Sequence, residues 1–93
     1  MTIRIDPKHK FSFNGVSFAV YNVNKGEGLP KHEHSFNHLT VCHGGSIVIR
    51  KENKEVVANK DSGAFNLVEN EWHEIEALED NTVFVNISTQ AYI

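Results

Sequence analysis

The stretch FSFNGVSFAVYNV, Phe11 to Val23, limits the folds open to this chain more than any other. Two runs rich in aromatic and β-branched residues flank Asn14-Gly15. Asn and Gly both accept the positive φ that a type I′ turn needs at its central positions, so the pair predicts a tight hairpin. Similar punctuation recurs downstream. HLTVC (His38–Cys42), SIVIRKE (Ser46–Glu52), EVVANK (Glu55–Lys60), AFNLV (Ala64–Val68), WHEIEAL (Trp72–Leu78) and TVFVNIST (Thr82–Thr89) read as strands. Gly44-Gly45, Asn53-Lys54, KDSG (Lys60–Gly63), ENE (Glu69–Glu71) and EDN (Glu79–Asn81) separate them as turns. KGEGLP (Lys25–Pro30) reads as a loop. Helical periodicity is hard to find. Short strands at regular spacing predict an all-β sandwich or small barrel. A chain of 93 residues builds one core, which predicts a single domain over residues 1–93.

Alternation assigns faces. In WHEIEAL, His73, Ile75 and Ala77 share one side, and Trp72, Glu74 and Glu76 the other. His73 therefore points where the apolar residues point. In the last strand Val83, Val85 and Ile87 share a face, with Phe84 partly buried on the opposite one.

Charge excludes some partners. Residues 1–60 carry all nine Lys and Arg against five acids, giving +4, and residues 61–93 carry seven acids and no base, giving −7. No basic stripe interleaved with aromatics appears, which argues against nucleic acid. No apolar run approaches the roughly 18 residues that span a membrane, and the first ten residues lack a signal-peptide core, so a cytoplasmic location is expected. The single cysteine, Cys42, fits a reducing compartment.

Four of the six histidines fall between Gly26 and Gly45, at His32, His34, His38 and His43. On a strand, i and i+2 face the same way, so the rings of His32 and His34 can converge on one ion. His38 lies four residues on, about 13 Å along an unbroken strand and too far to share a metal. Two local structures would bring it back. A helix would put His34, His38 and Cys42 on one face and make a His-His-Cys zinc site. A bend at Ser35–Asn37 between two strands is favoured, because Leu39–Cys42 is β-prone and a helix would have to stop at Gly44-Gly45. His43 abuts that turn, at odd offset from His38, and His9 lies near the terminus; both are read as bystanders. Cys42 shares parity with His38 and Thr40 and reads as a small interior residue.

The pattern Gly26, five residues, His32-Glu33-His34, three residues, His38, six residues, Gly45 resembles the first motif of the cupins. The spacing matches throughout, with His38 where most members have Glu. The second cupin motif, a Pro-x-Gly turn, then His, then Asn four residues later, is degenerate here: Val68, Asn70, His73 and Ala77 hold those places. The resemblance runs from about Val16 to Ile87 and implies a small jelly-roll β-barrel with a metal in its mouth. The ligands it implies are His32, His34, His38 and His73. Four neutral imidazoles would leave a divalent ion its full charge, which favours anionic or oxygen-rich substrates. Such a donor set suits Zn, Cu, Fe and Ni, whereas carboxylate suits Mn better.

The function implied is a metalloenzyme with dioxygenase, isomerase or hydrolase-type chemistry. The alternative is a sensor or ligand-binding module in which the metal is structural. Glu33, Glu71 and Glu74 are near the motifs in sequence and could orient an imidazole, although solvated acids are the favoured reading. A homodimer is expected from the family and from the edges of short strands.

Overall fold

A computed structural model describes residues 2–32, 37–67 and 71–89. These contain ten strands: β1 (Ile3–Arg4), β2 (His9–Phe13), β3 (Val16–Val23), β4 (Glu27–His32), β5 (His38–Gly44), β6 (Ser46–Lys51), β7 (Lys54–Asn59), β8 (Ala64–Leu67), β9 (His73–Ala77) and β10 (Thr82–Ser88). They form two five-stranded sheets, ordered β1-β4-β9-β6-β7 and β2-β3-β10-β5-β8. We call these the first and second sheets.

The predicted hairpin is present. Asn14 (φ 51°) and Gly15 (φ 78°) form its two-residue turn, and Phe13 pairs with Val16 across it. Between the sheets lies one core, built from Tyr21, Val23, Leu29, Ile47, Ile49, Leu67, Ile75, Phe84 and smaller neighbours. Tyr21 and Phe84 stack at its centre with ring centroids 4.7 Å apart. Cα partners on adjacent strands share a face, so the pairing of Phe84 with both Tyr21 and Cys42 places all three side chains inward.

Three expectations need correction. KGEGLP is a turn only at Lys25-Gly26, because β4 begins at Glu27, pairs in parallel with β1 and runs antiparallel to β9. Its glycines suggested a turn, yet Gly28 serves a close backbone approach to β9. In β10 the buried face is Thr82, Phe84, Asn86 and Ser88, while Val83, Val85 and Ile87 are half-buried on the outside. Hydrophobicity alone pointed the other way; the phenyl stack and a hydrogen bond to Asn86 decide the face. The jelly-roll expectation holds, but the sheets are not closed into a barrel: among the described residues no ladder joins the edges of one sheet to those of the other. The expected strand at residues 38–42 is present as β5, so His38 and Cys42 are not helical.

Candidate metal centre

His32 ends β4 and His73 opens β9, and the two are Cα partners. A bulge places them. Pairing runs Gly28–Glu76 and Leu29–Ile75, then resumes at His32–His73, so β4 spends three steps where β9 spends two. Pro30 sits in the irregularity, where its missing N–H breaks no ladder bond. The extra residue reverses the alternation, so Leu29 and His32 both face inward despite their odd separation. The Lys31 ammonium lies 4.4 Å over the Trp72 ring beside this pair. That contact ties the ends of the two strands together on the outer side. His38 opens β5 in the opposite sheet and faces inward with Thr40 and Cys42.

The His73 ring meets each of the other two. His32 and His73 pack edge to face with centroids 4.5 Å apart, and His38 and His73 do so at 5.3 Å, each pair at 75° between planes. His73 is fully buried and His38 is 3% exposed. Their Nδ1 atoms are turned away from one another. Nδ1 of His32 donates to the Pro30 carbonyl at 2.7 Å, and Nδ1 of His73 to the Glu71 carbonyl at 3.2 Å. A carbonyl only accepts, so both Nδ1 atoms carry the proton and the neutral ring keeps its lone pair on Nε2. Nδ1 of His38 lies 3.3 Å from Thr40 Oγ1 and 3.4 Å from the Leu39 carbonyl.

The centroid spacings fall in the range of imidazoles that share an ion. With metal–nitrogen bonds of about 2.1 Å, two imidazoles on one ion have centroids about 4.5 Å apart at right angles and about 5.2 Å at the tetrahedral angle. The Nδ1–H bonds to main-chain carbonyls are the usual support for Nε2 ligation. Among the described residues no group of three or more His, Cys, Asp or Glu is placed to hold a metal ion, His32, His38 and His73 included. The proposed ligand His34, the bend at Ser35 and Phe36, Glu33, and the second-motif positions Val68 and Asn70 all lie outside the described residues.

The other candidates resolve as follows. His43 is exposed on β5, and His9 belongs to β2, also exposed. Cys42 is buried, and burial pushes its thiol pKa up, so it behaves as a small apolar residue. Glu71 supports His73 through its backbone carbonyl, while its carboxylate meets Lys51 Nζ at 3.2 Å. Glu74 points to the opposite face of β9, toward Arg50 and Thr2, and does not contact the histidines.

Two features escaped the sequence reading. Thr40 and Asn86, Cα partners on β5 and β10, join through a buried hydrogen bond of 2.7 Å. The shared parity of Thr40 and His38 was visible; that Asn86 faces inward was not, because its apolar neighbours alternate against it. The second is a cleft of about 240 Å³ at the end of the second sheet, with His38 in its wall. Apolar Val16, Leu39 and Ile87 line it together with Asn37, Asn66, Ser88 and Thr89.

No protein-family model matches the sequence, and no curated protein matches it either. Solved structures do. KdgF from a Halomonas species superposes with a TM-score of 0.79 at 14% identity, over 89% of this chain and 77% of that one. A cupin-2 domain protein from Shewanella frigidimarina gives 0.73 at 12% identity, over 92% and 84%. The iron(II) enzyme HppE, solved with its substrate, gives 0.71 at 13% identity, over 86% of this chain and 51% of that one. At such identities the likeness speaks for architecture alone. The chain has the cupin fold, with His32, His38 and His73 gathered at one end of its jelly roll.

Proposed function

We propose that this chain binds one divalent transition metal through His32, His34, His38 and His73 and acts as a small metalloenzyme on an oxygen-rich or anionic small molecule. The observation that carries this reading is the meeting of three inward histidines from both sheets, with the Nδ1 atoms of His32 and His73 tied to main-chain carbonyls. The all-imidazole set favours Fe, Ni, Zn or Cu over Mn. When bound, the ion supplies Lewis acidity or a site for dioxygen, the basis of dioxygenase, isomerase or hydrolase-type chemistry. The protein's own share is orientation. Carbonyls of Pro30 and Glu71 hold two rings in one tautomer, and burial of His73 keeps bulk water from that side. The cleft beside His38 offers amides and hydroxyls for a substrate's oxygens and apolar walls for its carbon frame.

A second reading has its own support. Among the described cleft residues His38 is the one ionisable side chain. A described lining without a carboxylate or lysine suits a module that holds a ligand on a metal without turnover.

To test the metal reading, the chain is expressed without a histidine tag in metal-replete medium and its metal is measured by mass spectrometry. About one ion per folded chain is expected. His32→Ala and His73→Ala should each lower that stoichiometry severalfold, and the half-buried His32 is the cleaner probe of the two. A wild-type content far below one, or a content unchanged from wild type in both variants, overturns the reading.

We further propose a homodimer in the cytosol, formed across the outer face of the second sheet. That face carries Phe11, Phe13, Phe18, Leu39, Val85 and Ile87, and Phe13 is 69% exposed. The paired rows of this face hold no Lys, Arg, Asp or Glu, so nothing on it steers a charged partner, and a second copy matches it. Five strands by six residues present about 400 Å² per copy in projection. Side-chain relief brings two copies toward the roughly 1,000 Å² of a specific interface. Sedimentation at micromolar concentration should show the dimer; monomer alone rejects it.

A further inference from the structure

We propose that Thr40 and Asn86 are positioning residues that fix the tautomer of His38 and so select the nitrogen it presents to the centre. This rests on the metal reading for its purpose, but its geometry stands independently. Thr40 is fully buried and Asn86 is 2% exposed, at the heart of the pairing between β5 and β10. Two polar side chains there cost more to bury than the Val or Leu that a sheet interior accepts, unless each is hydrogen-bonded. They are bonded to one another: Thr40 Oγ1 donates to Asn86 Oδ1 at 2.7 Å.

A hydroxyl has one proton. With that proton committed to Asn86, Thr40 Oγ1 faces His38 as an acceptor only. Nδ1 of His38, 3.3 Å away, must then be the donor. The Leu39 carbonyl, 3.4 Å from the same nitrogen, imposes the same choice. The order is Asn86 Oδ1, Thr40 O–H, His38 Nδ1–H, which leaves the lone pair of the neutral ring on Nε2. His32 and His73 reach that state through backbone carbonyls that no substitution removes. His38 reaches it largely through side chains. It stands on the other sheet, in the wall of the cleft, where a misoriented ring would most disturb a bound ligand.

Nitrogen NMR on the whole chain, metal-free and at a pH where the ring is neutral, reads the tautomer directly. Wild-type His38 should be almost wholly Nδ1–H. Thr40→Val removes the nearer of the two acceptors, leaving only the longer Leu39 carbonyl contact, and should shift His38 to a mixed population while His32 keeps its signature. Thr40→Ser should restore the wild-type pattern. Asn86→Leu frees the hydroxyl to donate and should mix the tautomers by a second route, which covers the case of one variant failing to fold. Zinc binding, measured by competition with a chelating dye, should weaken about tenfold or more in Thr40→Val and recover in Thr40→Ser. A wild-type His38 carrying its proton on Nε2, or a tautomer unchanged in both Thr40→Val and Asn86→Leu, overturns the proposal. A wild type that binds no zinc yet shows the fixed tautomer overturns the metal reading and leaves the relay standing.

Discussion

Gly28 shows how much one backbone position fixes. Its φ is +155°, and a Cβ built on it would run into the Ile75 carbonyl of β9. Backbone cannot retreat as a side-chain tip can, so Gly28→Ala should cost about 2–4 kcal/mol of stability in urea unfolding. The same strand carries His32 to its partner, so that variant should also weaken metal binding. Cys42 is a second single-residue test. Its thiol pKa is raised first by burial, against a smaller opposing effect of the Gly44 backbone, and Sγ lies 3.4 Å from the Gly44 carbonyl. Thiol reagents should label it slowly in the native protein and at once after denaturation. Rapid native labelling would show that the interior opens.

Among the elements, the outer face of the first sheet carries a charge cluster beside the buried Val48. Arg50 on β6 meets Glu76 Oε1 at 2.7 Å and Glu74 Oε1 at 2.9 Å, both on β9. The single hydroxyl proton of Thr2 is shared between Glu74 at 2.7 Å and Glu76 at 3.1 Å, which ties the start of the chain to the same cluster. Glu55 on β7 adds a weaker, exposed contact to Arg50. The hydrogen bond from Arg50 pulls the Glu76 pKa below its usual value, with burial opposing and Thr2 assisting. A folded-state pKa below the unfolded one means that the stabilisation is complete above the ordinary glutamate range. It is lost as pH falls through the lowered value. Glu76→Gln should therefore cost about 1 kcal/mol at neutral pH. The difference from wild type should shrink toward zero between about pH 6 and about pH 3. A gap that stays constant over that range would mean that Glu76 packs there without acting through its charge.

At the scale of the whole molecule, the outer face of the second sheet is the feature a solvated monomer would least be expected to keep. Phe13 projects from it beside the hairpin turn, with most of its side chain exposed. Phe13→Glu should weaken self-association tenfold or more in sedimentation while shifting monomer stability by no more than about 0.5 kcal/mol. Unaltered association would place the contact elsewhere.

Much of the architecture was legible because its signals are local. Asn14-Gly15 set the hairpin, alternation set the faces of β9, and the spacing from Gly26 to Gly45 carried the resemblance to cupins. These depend on φ preference and strand period, which neighbouring residues decide. Local signals failed where a distant partner decides. Of the two glycines that suggested a loop at Lys25–Pro30, Gly28 is there for the approach of β9. The bulge at Pro30 sets the face of His32 by its register against β9, which no count along β4 alone yields. The buried face of β10 is the polar one because Tyr21 and Thr40, from strands on either side, supply a stacking ring and a hydrogen bond. The sequence by itself determined which residue types the site could use and how far apart they lie along the chain. The tertiary structure decided which of them meet and which ring nitrogen each holds back. Pairing between strands tens of residues apart is a sum over contacts that no single segment contains.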